Sequence, residues 1–195
     1  MKHRIWITLT VLLLVAVACD IVPTSQANDG LAEEVRSETG GYSFTKPSDY
    51  EVLSLMSDFS IIDLELIGKD WETSEVGEGP HIQLNGFANS NNWTLEKFAE
   101  HGNNVVKVHY TATSSATQEA YVAGLKGIAY DYEYELPDAG LIRYRDIYVM
   151  VNQDQLFNIN CFSPVAAWDK TLADFNAIIN SITFFEPVPS PTNIP

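Results

Sequence analysis

The sequence predicts an α+β domain built around an antiparallel β-sheet. Three observations predict it. Several short stretches between residues 41 and 162 alternate apolar and polar side chains at the period of a half-buried strand. Turn-forming clusters separate them, the clearest being Pro137-Asp138-Ala139-Gly140 before a return strand. Two stretches, near Thr94 and after Ser163, switch to the three-and-four spacing of a helix with one apolar stripe.

The first strand runs from Gly41 to Pro47. Tyr42 and Phe44 alternate with small polar residues and form one apolar face. Pro47 ends the pairing because it has no backbone donor. Residues 50–56 read as a second strand, Ser57-Asp58 as a turn and residues 59–67 as a third strand. Residues 68–80 have no apolar pattern and carry Asp70, Glu72, Glu75 and Glu78, which makes an acidic loop. Residues 81–87 form a fourth strand, with Ile82 and Leu84 on one side and His81, Gln83 and Asn85 on the other.

Thr94 caps a short helix in which Leu95, Phe98 and Ala99 share a face, Glu96 lies in the first turn and Gly102 marks the end. Strand character resumes over residues 105–113, breaks at 114–118, and returns over 121–125 and 128–136 around Gly127. Residues 141–152 are the return strand, Gln153-Asp154 turns again, and residues 156–162 follow. Ser163 caps the last helix and Pro164 suits its first position. Trp168, Leu172, Phe175, Ile179 and Ile182 form its apolar stripe, while Asp169, Lys170, Asp174 and Asn176 lie away from it. Residues 182–185 rejoin the sheet, and the four prolines of residues 186–195 make a loose tail. The domain therefore spans residues 41–185, and it contains no internal repeat.

The N-terminus carries a different kind of signal. Lys2, His3 and Arg4 precede an uncharged run from Ile5 to Ala18, and Cys19 follows directly. A basic head, an apolar middle and small residues before a cut site make residues 1–18 a secretory signal. Ala16-Val17-Ala18-Cys19 resembles a bacterial lipobox, with Ala16 where Leu is usual. The resemblance implies that Cys19 becomes the lipidated N-terminus. The alternatives are an ordinary signal peptide and an uncleaved anchor, but the run is shorter than the roughly 20 residues of a spanning helix. Two or three acyl chains hold a protein firmly where one does not. Residues 19–40 are polar and aperiodic, a flexible tether reaching about 25 Å. Asp20 resembles the inner-membrane retention signal of enterobacteria.

The chain has 195 residues and a net charge of −15. Removing Lys2 and Arg4 with the signal leaves nine basic against 26 acidic residues, a charge of −17. Such a surface repels nucleic acid and anionic headgroups, so the lipid must supply the membrane attraction. Of the two cysteines, lipidation takes Cys19 and leaves Cys161 unpaired. Cys161 lies in an apolar strand without a basic sequence neighbour, which reads as a buried hydrophobe and not a nucleophile.

Gly41-Tyr42-Ser43-Phe44-Thr45-Lys46-Pro47-Ser48-Asp49-Tyr50 resembles the opening motif of PsbP-like domains, with Tyr50 where Trp is usual. Trp168, Phe175 and Asn180-Ser181-Ile182-Thr183-Phe184 resemble the closing helix and strand of that family, and Gly124 to Tyr134 before an Arg-bearing return strand also fits. The resemblance covers residues 41–185. It implies an antiparallel sheet packed between helices, an α/β/α sandwich. It also implies a binding or assembly role, as in photosystem II PsbP and the Ran-binding Mog proteins, more often than catalysis.

Enzyme signatures such as a Gly-x-Ser-x-Gly elbow, His-Glu-x-x-His, Cys-x-x-Cys or a phosphate-binding glycine loop do not occur. His81 and His109 read as lying on polar strand faces, where two imidazoles with a carboxylate would bind zinc; the other reading is scattered surface histidines. Asn92-Trp93-Thr94 matches a glycosylation acceptor that a bacterial lipoprotein has little use for. The best constellation is the hairpin around Gly140. Tyr130, Tyr132 and Tyr134 share one face and Asp131, Glu133 and Glu135 the other, with Arg143 and Arg145 on the return strand. Pairing Pro137 with Leu141 would set Glu135 opposite Arg143 and Glu133 opposite Arg145. These tyrosines and arginines are a candidate recognition patch; the plainer reading is register-setting on a solvated face. The expectation is a lipid-anchored, non-catalytic binding or assembly module with a protein partner. It would sit on the periplasmic or extracellular side of the cell membrane, with no cofactor and no nucleic acid. The alternative is an exported small-ligand or metal binder, or a hydrolase with an unfamiliar site.

Overall fold

Alternating side chains send the strands' apolar residues to two faces, and each face has its own cover. The computed structural model describes residues 31–53, 64–68, 79–136 and 140–188. In chain order its strands are β1 (Leu31–Ser37), β2 (Tyr42–Pro47), β3 (Tyr50–Leu53), β4 (Leu64–Gly68) and β5 (His81–Ala88). Helix α1 (Leu95–Tyr110) leads to β6 (Thr113–Ser114), β7 (Gln118–Val122), β8 (Leu125–Leu136), β9 (Gly140–Met150) and β10 (Gln155–Pro164). A single 3-10 turn, Val165–Ala167, precedes α2 (Trp168–Ser181) and β11 (Thr183–Phe184). The main sheet has the order β3-β4-β5-β10-β9-β8-β6, with β7 also on β8, and a small sheet has the order β1-β2-β11. Every strand pair is antiparallel.

On one face, α1 covers Tyr130, Tyr132, Ile142, Tyr144, Tyr148 and Phe162 through Phe98, Ala99 and Val106. On the other, α2 and the small sheet cover Ile82, Leu84, Val149, Phe157, Ile159 and Cys161. The α+β class and the antiparallel sheet between helices are as the sequence predicts.

Several elements differ from the sequence reading, each for a tertiary reason. The first helix does not stop at Gly102 but continues to Tyr110, so residues 105–110 are helical and not a strand. Gly102 lies where α1 crosses Tyr148, and a Cβ there would overlap the Tyr148 ring. The helix ends instead at Thr111, whose positive φ of 52° breaks the pattern. Gly102→Ala should therefore destabilise the protein by about 1–3 kcal/mol through overpacking. Helix propensity alone would give the opposite sign, a gain of about 1 kcal/mol. Urea denaturation decides, and a more stable variant would mean that α1 does not rest on Tyr148.

Residues 31–37 of the expected tether form β1, pairing Val35 with Phe44 and Ser37 with Tyr42. Its exposed Glu33, Glu34 and Arg36 leave no apolar alternation to read, as befits an outer strand. Phe185 donates its N–H to Gly41 O (2.9 Å), and the start of the expected tail is also held, the Val188 N–H donating to Glu38 O (2.8 Å). The break expected at Gly127 lies at Ala123-Gly124, both with positive φ (50° and 78°), and Gly127 stays within β8. Ser163 and Pro164 end β10 and do not cap the last helix; the helix starts at Trp168 and its cap makes no side-chain hydrogen bond. The readings of residues 1–30, of residues 54–63, of most of the acidic loop, of turn residues 137–139 and of residues 189–195 lie outside the described residues.

Candidate functional site

On the face that α1 covers the strands present a polar row, half-buried at Glu65 and Gln83 and buried at Asn160 and Asp146. Glu65 pairs with Gln83, Gln83 with Asn160, and Asn160 with Asp146 across β4, β5, β10 and β9. Asp146 is only 2 % exposed, and three donors surround it. The Tyr148 and Tyr144 hydroxyls donate to its Oδ2, the latter at 3.4 Å, and the Asn158 amide to its Oδ1. Asn85 and Asn160 both donate to Asn158 Oδ1, at 3.2 and 3.4 Å. Burial pushes the Asp146 carboxyl up to about 6, against the three hydrogen bonds that favour its charged form. Burial also raises the phenols of Tyr132, Tyr144 and Tyr148, which keeps them protonated donors. Tyr132 donates to Asn103 Oδ1 of α1 at 3.1 Å. The network ties α1 to the sheet, and its titratable members are shut away from solvent.

The opposite face of the same hairpin is open. Asp131 pairs with Arg145 and Glu133 with Arg143. The expected pairs Glu135–Arg143 and Glu133–Arg145 are therefore displaced, because the strands pair from Leu136–Gly140 and not from Pro137–Leu141; Glu135 lies opposite Leu141. Arg145 holds Asp131 bidentately, Nε to Oδ1 at 2.6 Å and Nη2 to Oδ2 at 2.9 Å, and Gln118 adds a third donor at 2.7 Å. Burial opposes the charge on Asp131, but these donors hold its carboxyl below the usual value. Arg143 reaches Glu133 through Nε alone, at 3.0 Å. A cleft of about 220 Å³ lies between this ladder and the start of α2, bordered by Trp168 and Leu172. A wider groove of about 1010 Å³ lies among Phe87, Val151, Phe184, Phe185 and Val188.

The structure thus divides the candidate recognition patch. Tyr130, Tyr132 and Tyr134 are 8, 2 and 7 % exposed and pack beneath α1, so they are not offered to a partner. Arg143 and Arg145 face the other side, on the cleft. His81 and His109 do not meet, since His109 is on α1 and stacks edge-on against Tyr110, whereas His81 Nδ1 lies 3.0 Å from Glu65 Oε1. Among the described residues no group of three or more His, Cys, Asp or Glu is placed to hold a metal ion. Cys161 is fully buried and its thiol is pushed up by that burial. Cys19 lies outside the described residues. Asp146 was the missed group. Its signal was legible: on the face Ile142, Tyr144, Asp146, Tyr148, Met150 it is the one acid.

No family model matches the chain, and no curated protein matches it either. Solved structures do. Cyanobacterial PsbP (CyanoP) from Synechocystis superposes with a TM-score of 0.59 at 12 % identity, over 82 % of this chain and 96 % of that one. The chain has the PsbP-like fold. LpqN of Mycobacterium tuberculosis, described as involved in cell envelope biogenesis, gives 0.59 at 13 % identity over 79 % and 91 %. The Saccharomyces cerevisiae Ran-binding protein Mog1p gives 0.50 at 11 % identity over 78 % and 94 %.

Within the PsbP-like fold, the motifs behind the sequence resemblance are structural. Gly41 takes a positive φ of 72°, and the Tyr42 hydroxyl donates to Leu84 O at 3.1 Å. Tyr50 and Phe175 are buried at 1 and 0 % exposure. These residues build the frame.

Proposed function

We propose that the protein is a non-catalytic binding or assembly module, exported and held by lipid on Cys19 at the periplasmic or extracellular side of the cell membrane. One observation carries the non-catalytic reading. Among the described residues the buried Asp146 and Cys161 are 2 and 0 % exposed, whereas the cleft beside Arg143 and Arg145 is lined by charged side chains already paired with one another. A buried carboxyl whose oxygens already accept three hydrogen bonds is poorly placed to take a proton from a substrate. The PsbP-like fold occurs in a Ran-binding protein and in a protein involved in cell envelope biogenesis, which fits a frame used for protein contacts. The lipid reading rests on Ala16-Val17-Ala18-Cys19.

The anchor is tested by growing producing cells on radiolabelled palmitate. The wild-type chain should be labelled and stay with membranes, and Cys19→Ser should be unlabelled and released; an unlabelled, soluble wild type would overturn the anchor. Cross-linking in native membranes tests the module, and contacts with random neighbours alone would count against it. The wide groove among Phe87, Val151 and Phe184 favours a second reading, an exported binder of a small apolar ligand.

A further inference from the structure

We propose that the cleft between the β8–β9 hairpin and the start of α2 docks a glutamate or aspartate side chain of a separate protein partner, with Arg143 as the receiving group. This rests on the binding-module reading and names the surface and the partner's chemistry.

The argument begins with charge. The chain carries −15 and has four arginines, of which Arg143 and Arg145 stand two residues apart on β9 and face one cleft. They play different parts. Arg145 spends Nε and Nη2 on Asp131, which a third donor from Gln118 completes, so this pair is a closed buttress. Arg143 spends only Nε, on Glu133, and its side chain is 42 % exposed. The Glu133 contact fixes the guanidinium plane and leaves its Nη edge directed away from that bond, which is the geometry a carboxylate takes bidentately.

The walls select the occupant. Trp168 and Leu172 give the cleft an apolar side, suited to the methylenes that carry a carboxylate. A volume of about 220 Å³ admits one side chain. An anionic bilayer is too flat to seat a headgroup in a cleft that admits one side chain. Glu133, 54 % exposed beside Arg143, is a like charge to the incoming carboxylate and should weaken it.

The test uses the full chain in dodecyl maltoside micelles, with NMR of arginine Nε–H and tryptophan indole N–H signals. The probe is a capped Leu-Glu-Leu-Glu-Leu peptide, with Leu-Gln-Leu-Gln-Leu as control. The Arg143 and Trp168 signals should shift saturably with the first and not the second. Glu133→Gln should tighten binding by roughly threefold, and Arg143→Gln should weaken it roughly tenfold or more. Equal shifts from the glutamine peptide, binding that survives Arg143→Gln, or no saturable shift would overturn the proposal. So would the same shifts from phosphatidylglycerol vesicles, or an Arg143-dependent self-association in which a second copy fills the cleft. If the peptide fails while membrane cross-links still join a protein at another face, this surface falls and the module reading stands.

Discussion

Phe157→Ala should lower the unfolding free energy by about 3–5 kcal/mol, the usual cost of emptying a phenylalanine site in a core. Phe157 is fully buried on β10. Its ring meets Tyr42 of β2 and Phe184 of β11 edge to face, both at 5.0 Å between centroids. Those two contacts join the main sheet to the small one, and each is worth about 0.5–1.5 kcal/mol beyond area burial. The loss should therefore be uneven. Amides of β1, β2 and β11 should exchange faster than those of β8 and β9. Urea denaturation with hydrogen exchange measures both. A cost below about 1 kcal/mol, or uniform exchange, would show that the small sheet is held by other means. Phe157→Leu, which keeps most of the volume, should cost less than half as much.

Asp146→Asn should change how stability depends on pH. Burial raises the folded carboxyl from 3.8 to about 6, so between those values the folded chain holds a proton that the unfolded chain has released. The contribution of this group is greatest below the unfolded value and is lost as pH rises through the folded one. The difference corresponds to about 3 kcal/mol. Asparagine can keep Oδ1 toward Asn158 and turn its amide toward the two tyrosine oxygens, so the network survives without a titrating group. Relative to wild type, the variant should gain about 3 kcal/mol between about pH 4 and about pH 7, or roughly 2–4 °C in melting temperature per kcal/mol. The comparison with wild type matters because Asp131 and Glu65 are shifted the other way, the first by the Arg145 and Gln118 hydrogen bonds that outweigh its burial, the second chiefly by the His81 contact. A parallel pH profile in the two proteins would contradict the assignment of that titration to Asp146.

Legibility in the sequence followed the range of the interactions. The strand Tyr42–Pro47 and the stripe Trp168, Phe175, Ile179 were readable because one periodic face met one core. The tyrosine and acid faces of β8 were also separable by alternation alone. Pairing across the Gly140 hairpin was not, because register depends on where the loop closes; Leu136 meets Gly140, and every pair shifts with it. Gly102 read as a stop for the same kind of reason: a helix-ending glycine and a glycine under a crossing tyrosine are alike until Tyr148 is in place.

By itself the sequence determined the α+β class and the buried character of Cys161, which follow from local periodicity and side-chain type, while the sheet packed between helices came from the resemblance to PsbP-like domains. Tertiary structure alone decided that Leu31–Ser37 joins the domain, that the tyrosines lie beneath α1 while the arginines face a cleft, and that Asp146 sits among three donors. The physical reason is distance along the chain. Alternation assigns a residue to a face, but what covers that face is set by segments far away in sequence.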